Sequence, residues 1–306
     1  MRLLVTGAWR EADLYVDRLK DMGHEVLFLQ YEQDPLPCEK VWVEGVIGGN
    51  LFAFHPIEEF LNLRYIQITG AGSDHLPMEA IRQRRIAFHN AGNAYCVPMA
   101  ETALSAILQI CRMSRRHEEN QKKHLWEKLR GQDELYGKRA LIFGCGNVGT
   151  ECAKRLQAFG VQTAGINRHG GDRPYFDAVM RMDEFDDSRE MKEADIIISA
   201  LPLTSDTAGY FDRKHLEIMK QNAIFINLSR GGIVQTEDLI DVLKMRRDLS
   251  VVLDVFESEP LDAASPLWDM ENVLLTPHDS YIGPGNRERL WNVFKENLEE
   301  YQAQEG

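Results

Sequence analysis

Three side chains lie far apart along the chain, and each closely follows an apolar run: Arg230 in "FINLSRGGIV", Glu259 in "LDVFESEPL" and His278 in "LLTPHDSY". An imidazole titrates near neutral pH and can donate a proton to a reacting atom. A carboxylate partner would keep such a ring protonated and aimed. A guanidinium, always charged and forked, suits the clamping of a carboxylate or a polarised carbonyl oxygen. A fourth stretch, "RALIFGCGNVGTECAKRLQAFG", sets Gly144, Gly146 and Gly149 in GxGxxG spacing between an apolar run and a helical one. Glycines so placed permit a tight turn, a close approach of backbone to pyrophosphate, and close packing of helix on strand. The helix start, at Asn147, Val148 and Gly149, offers backbone N–H groups to the anion. Taken singly, each feature has a structural explanation. An arginine before Gly-Gly can cap a strand, a glutamate before proline can turn the chain, a histidine after proline can be a satisfied loop residue, and a glycine-rich turn can join ordinary elements.

The run after the glycine loop ends "AGINRHGG". An acidic residue about 20 positions past the motif would hold the ribose hydroxyls of NAD and repel a 2′-phosphate. Asn167 and Arg168 stand there instead, with Arg173 close by, which predicts a preference for NADPH. Alternatively, Arg168 solvates a loop and Asn167 holds the ribose of either cofactor, which leaves NAD possible. Cys145, within the loop, reads as a small spacer rather than a nucleophile.

The elements that must carry these residues follow from the apolar pattern. "LLVTG", "EVLFLQY", "VWVEGVIG", "RYIQIT" and "IAFHN" occupy the first 90 residues and alternate with helical stretches, which predicts parallel strands with helical crossovers. Near Pro98 the rhythm changes: Ala103, Leu104, Ile107, Leu108 and Cys111 fall at helical spacing, predicting one long helix that ends in the charged, solvated run "RRHEENQKKH". A second set of strands follows, "RALIFG", "QTAGIN", "DIIISAL", "AIFINLS", "SVVLDVF" and "NVLLTP". After Pro284, Leu290, Val293, Phe294, Leu298 and Tyr301 form one helical stripe. The fold class is therefore α/β, with two doubly wound parallel sheets, and a chain of 306 residues accommodates two domains.

In order along nearly the whole length stand "ITGAGSDHL", "VPMAETAL", the glycine loop, "ADIIISALPLTSDTAGYF", "NLSRGGIVQTEDLIDVL", "LDVFESEPL", "SPLW" and "NVLLTPH". This concatenation resembles the D-isomer-specific 2-hydroxyacid dehydrogenases, near glyoxylate and hydroxypyruvate reductases. The resemblance implies a discontinuous flavodoxin-like substrate domain (1–98 plus 283–306), a Rossmann coenzyme domain (99–282), and a cleft between them. It implies reduction of a small 2-oxo acid by hydride transfer, with His278 as proton donor, Glu259 as its partner, Arg230 on the substrate, and Asp254 beside the nicotinamide amide. Backbone at Gly49, Ala71 and Gly72 would meet the substrate carboxylate, although glycine there is also simple turn chemistry. Asp74 reads as a turn or hinge residue. Where relatives carry small residues after the histidine, this chain has Asp279, Ser280 and Tyr281, and Tyr281 would either line the substrate pocket or pack against the closing helix. The resemblance also implies a homodimer through about Ala100 to Tyr136, with Trp126 and Trp268 in core or interface. No regulatory domain of the kind found in many phosphoglycerate dehydrogenases is expected. An NAD-dependent dehydrogenase with a bulkier substrate is the alternative, and a dinucleotide-sensing binding protein of the corepressor type a more distant one.

Composition narrows the partners. A net charge of -13 disfavours non-specific binding to nucleic acid or an anionic membrane. No apolar run approaches the roughly 18 residues of a membrane span, and the start lacks the pattern of a secretory signal, so a soluble, cytoplasmic protein is expected. The five cysteines are scattered and form no CxxC pair, which indicates neither a disulfide framework nor a metal site.

Overall fold

The first strand, β1 (Arg2–Thr6), is followed by α1 (Asp13–Asp21), β2 (Glu25–Leu29), β3 (Gly45–Gly48), β4 (Tyr65–Ile68), α2 (Met78–Gln83) and β5 (Ala87–His89); the connections from β2 to β3 and from β3 to β4 hold short 3-10 turns where helical crossovers were expected. All pairings are parallel, in the order β2-β1-β3-β4-β5. Both faces of this sheet are covered. Leu3 and Val5 point into one apolar layer with Leu19, and Leu4 points into the other with Val46 and Ile66, as the two-residue period of a strand requires. The computed structural model describes residues 1–73, 75–185 and 187–305, so the turn or hinge expected at Asp74 lies outside the described residues.

The second sheet is framed by α3 (Cys96–Cys111) and α4 (Ser114–Lys122). It continues as β6 (Arg139–Phe143), α5 (Asn147–Ala158), β7 (Gln162–Asn167), β8 (Ala178–Arg181), α6 (Asp187–Glu193), β9 (Ile196–Ser199), α7 (Arg213–Ile218), β10 (Ile224–Asn227), α8 (Thr236–Met245), β11 (Ser250–Leu253) and β12 (Val273–Leu275). Its seven parallel strands run β12-β11-β10-β9-β6-β7-β8. Ala140, Ile142, Ile196 and Ile198 face α3 and α5, and Leu141, Phe143 and Ile197 face the layer of Leu216, Leu239 and Val242. The last helix, α9 (Asn286–Glu305), returns to the first sheet, where Leu290, Phe294 and Leu298 are buried and Val293 and Tyr301 pack beside them. The chain thus forms two compact units, Met1–Tyr95 with Gly283–Gly306, and Cys96–Ile282.

Two expectations need correction and a third is narrowed. The long helix is two helices, because Met113 adopts left-handed backbone (φ 52°) between α3 and α4. α4 buries only Asn120, so no apolar stripe carries the packing of α3 onward. The second sheet has one strand more than the apolar runs indicated, the four-residue edge strand β8. Neither Trp126, fully exposed, nor Trp268, half-exposed with its Nε1–H donated to the Asp262 carbonyl (2.9 Å), is a core residue in this chain. Among the described residues, no helix is long and apolar enough to cross a membrane.

Candidate active site

In the unit Cys96–Ile282, the strand order reverses between β6 and β9, and the carboxyl edge at such a point is where open parallel sheets take ligands. The glycine loop leaves β6 at this edge. Gly144 has φ +98°, and a Cβ there would lie 2.5 Å from the Ala200 carbonyl oxygen. A Cβ on Gly149 would lie 1.9 Å from the Gly144 oxygen, whereas one on Gly146 would meet nothing within 4 Å. Two glycines are thus required by the fold, and the third leaves open space where backbone could approach a phosphate. No side chain caps the start of α5 at Gly146, so the first N–H groups, from Asn147, Val148 and Gly149, are oriented as an anion site requires. This arrangement fits a dinucleotide pyrophosphate. Cys145 is buried, its thiol pushed up to about 11 by that burial, and a Cβ on Gly165 of β7 would lie 2.4 Å from its sulfur. It fills space between strands as a protonated thiol.

At the end of β7, the Asn167 Oδ1 accepts from the backbone N–H groups of His169 (2.8 Å) and Gly170 (2.5 Å). Its side chain therefore shapes the loop that carries Arg168 and Arg173, both exposed.

Arg230, Glu259 and His278 follow β10, β11 and β12, which are consecutive neighbours in the sheet. The structure brings the last two together: His278 Nδ1 lies 2.8 Å from Glu259 Oε2. The other carboxylate oxygen, Oε1, accepts from the Phe256 N–H (3.0 Å), so both oxygens are engaged and the carboxylate cannot swing. With Nδ1–H donated to Glu259, the ring leaves Nε2 for a reacting group. The two side chains are 36% and 42% exposed, accessible to a ligand. The Arg230 loop packs backbone to backbone on the Glu259 loop, since a Cβ on Gly231 would lie 1.8 Å from the Phe256 carbonyl carbon. The Tyr281 ring stands edge-on to His278 at 6.2 Å and is partly exposed.

Asp254 follows β11 directly. It is fully buried, and its oxygens accept from Thr276 Oγ1 (2.7 Å), Asp279 N–H (3.0 Å), Ser280 N–H (3.3 Å) and the Ser280 hydroxyl. Its carboxylate is held by the loop that carries His278. Of these partners, Thr276 was not singled out from sequence, although a polar residue closing an apolar run, as in "LLTP", is the available signal.

In the other unit, Gly49 and Ala71–Gly72 stand beyond the carboxyl ends of β3 and β4. The Gly49 N–H is donated to Glu32 Oε1 (2.7 Å), and that of Asn50 to Glu32 Oε2 (2.7 Å). The carboxylate that meets Gly49 in this structure is therefore the protein's own. The Ala71 carbonyl accepts from Asn90 Nδ2 (2.9 Å).

Comparison with known proteins agrees with this architecture. Residues 104–280, more than half of the chain, match the family described as D-isomer specific 2-hydroxyacid dehydrogenase, NAD binding domain. The chain is 33% identical over 287 residues to D-3-phosphoglycerate dehydrogenase of Methanocaldococcus jannaschii, covering 91% of this chain but only 53% of that longer relative. It is 31% identical over 243 residues to glyoxylate/hydroxypyruvate reductase B of Enterobacter sp. (strain 638), covering 78% and 73% of the two chains. The crystal structure of a D-isomer specific 2-hydroxyacid dehydrogenase family protein from Aeromonas salmonicida superposes with a TM-score of 0.84 at 27% identity, covering 99% of this chain and 96% of the other. With two parallel α/β units, a dinucleotide cradle and this match over the coenzyme-binding portion, the chain belongs to the D-isomer specific 2-hydroxyacid dehydrogenase family.

Proposed function

We propose that the protein reduces a small 2-oxo acid to the D-2-hydroxy acid, with NADPH as the preferred reductant. The observation that carries this proposal is the Glu259–His278 pair, at 2.8 Å, on the strand edge that also bears Arg230. When bound, the reduced nicotinamide supplies a hydride to the carbonyl carbon. Arg230 would hold the substrate carboxylate and draw charge toward the carbonyl oxygen. His278 would give its Nε2 proton to that oxygen as it becomes negative, and Glu259, held by the Phe256 N–H, would keep the ring aimed. The ring then regains a proton from solvent. Asp254 acts in this scheme through the loop that carries His278.

The preference for NADPH rests on Asn167, Arg168 and Arg173 standing where a carboxylate would repel a 2′-phosphate. Glyoxylate and hydroxypyruvate are the first substrates to test, in keeping with the name of the Enterobacter relative. The deciding assay follows nicotinamide absorbance over a panel of 2-oxo acids with NADPH and with NADH. Turnover with NADPH and a small acid is the expected result. A clear NADH preference with a bulkier acid would transfer the assignment to an NAD-dependent dehydrogenase. Tight dinucleotide binding with no turnover on any acid would favour a dinucleotide sensor. We also infer a cytoplasmic homodimer through the stretch 100–136, supported by the exposed apolar side chains Leu125, Trp126 and Tyr136; light scattering of the purified chain checks the dimer.

A further inference from the structure

Arg230 is held by more than its strand. Asn227, the last residue of β10, has no solvent exposure, and both ends of its amide are engaged. Oδ1 accepts from Ser229 Oγ (2.8 Å) and from Ser229 N–H (3.2 Å), while Nδ2 donates to the Arg230 carbonyl (3.0 Å). These partners fix the amide's orientation, since a flipped group would set NH2 against an N–H and oxygen against a carbonyl. Ser229 Oγ also lies 3.3 Å from Ser199 Oγ, at the end of the adjacent strand β9, and the Arg230 guanidinium donates from Nη1 to the Ser229 carbonyl (2.9 Å). On the far side, Gly231 leaves no room to shift against Phe256. The turn that aims the guanidinium is thus gripped between a buried amide and a neighbouring backbone.

We propose that Asn227 is a positioning residue for Arg230, setting the direction of the anion clamp through the Ser229–Arg230 turn. This inference rests on the reductase function proposed above. A buried polar group that merely closed its own strand would need any satisfied partner. Asn227 instead applies three hydrogen bonds to the two residues that precede and include the clamp. Orienting groups of this kind typically cost about tenfold to a hundredfold in activity when removed.

The test compares Asn227→Ala, Asn227→Asp and Ser229→Ala, each in the wild-type and in the Arg230→Gln background. Asn227→Asp keeps the Oδ1 acceptor but faces a second oxygen to the Arg230 carbonyl, so it should behave like Asn227→Ala. Both should lower kcat/KM for the 2-oxo acid by about tenfold to a hundredfold, with the NADPH dissociation constant within about twofold of wild type. In the Arg230→Gln background the same changes should cost less than about threefold, because the group they aim is gone. Ser229→Ala keeps the backbone bonds and gives a smaller loss with the same coupling, so it reads the result if either Asn227 variant fails to fold. Equal penalties in both backgrounds, or parallel weakening of NADPH binding, would mean a general structural role and overturn the proposal. An active wild type with undiminished Asn227→Ala defeats this inference alone, whereas a wild type inert toward every acid defeats the reductase assignment and the inference with it.

Discussion

His278 sits in left-handed backbone, φ 52°, a conformation that costs a non-glycine residue about 1–2 kcal/mol. The surrounding bonds explain why it persists there: the N–H groups of the next two residues, Asp279 and Ser280, both point to the Asp254 carboxylate, which also holds Thr276 on the other side. Strain of this kind, over-determined by neighbours, marks sites where a side chain must be aimed. Replacing His278 by Gln should lower kcat by about a hundredfold to ten-thousandfold, the usual range for a lost general acid, with little change in NADPH affinity by fluorescence titration; a near-wild-type rate would remove His278 from the chemistry. Thr276→Val, which keeps the shape and deletes one bond to a charged group, should lower unfolding stability by about 1.5 kcal/mol, measured by urea titration. The pairing of Glu259 with His278 was legible in sequence because rare chemistry-bearing side chains follow apolar strands. The bonds that Asn227 and Asp254 make were not. Their types suit a strand end or a turn equally well, and what distinguishes them is a set of bonds across turns or across some 22 to 26 residues of chain.

At the scale of elements, helix ends show both what residue type reveals and what it hides. α1 and α5 each end in a glycine at positive φ, Gly23 and Gly160, with the paired bonds that close such a terminus: His24 N–H to Leu19 and Gly23 N–H to Lys20, Val161 N–H to Leu156 and Gly160 N–H to Gln157. α2 closes with the same pair, Ile86 N–H to Ile81 and Arg85 N–H to Arg82, but an arginine at φ 54° occupies the glycine position. Arg85 is exposed, so its side chain has little packing to lose. Arg85→Gly should therefore raise stability by about 0.5–1 kcal/mol, the left-handed penalty less the extra chain entropy of glycine, read as a higher urea midpoint. A fall in the midpoint would show that the arginine contributes something beyond the turn. Met113, between α3 and α4, is another non-glycine residue in left-handed backbone, and the same absence of glycine concealed that break. β8 escaped notice for a different reason: four residues at a sheet edge, in "DAVMRM", offer too short a pattern to separate a strand from a loop. The long, strongly apolar strands of the second sheet were legible because burial on both faces leaves little room for polar residues.

At the scale of the whole chain, the alternation of strands and helices gave two sheets, while the return of α9 to the first sheet followed from family resemblance, because an amphipathic stripe does not name the surface it covers. That returning helix bears on acid sensitivity. In the unit Met1–Tyr95 with Gly283–Gly306, His24 is buried beneath the end of α9, where its Nε2 lies 3.5 Å from Gln302 Nε2, and its Nδ1 has no hydrogen-bond partner among the described residues. His89 stacks on Tyr65 at 5.3 Å. Burial holds both imidazoles below the ordinary value of 6.5, with the N-terminal ammonium adding to the effect on His24 and Glu300 opposing it on His89. The folded unit then binds fewer protons than the unfolded chain once the pH falls below that value, so stability is fully present above it and is lost as the pH drops toward the depressed folded values. The melting temperature should accordingly fall between about pH 7.5 and about pH 5.5, ahead of the range in which carboxylates titrate. In His24→Gln, which cannot take up the proton, the fall should be smaller than in wild type. An equal fall in both proteins would assign the acid loss to other groups and leave the junction of α9 with β2 indifferent to pH.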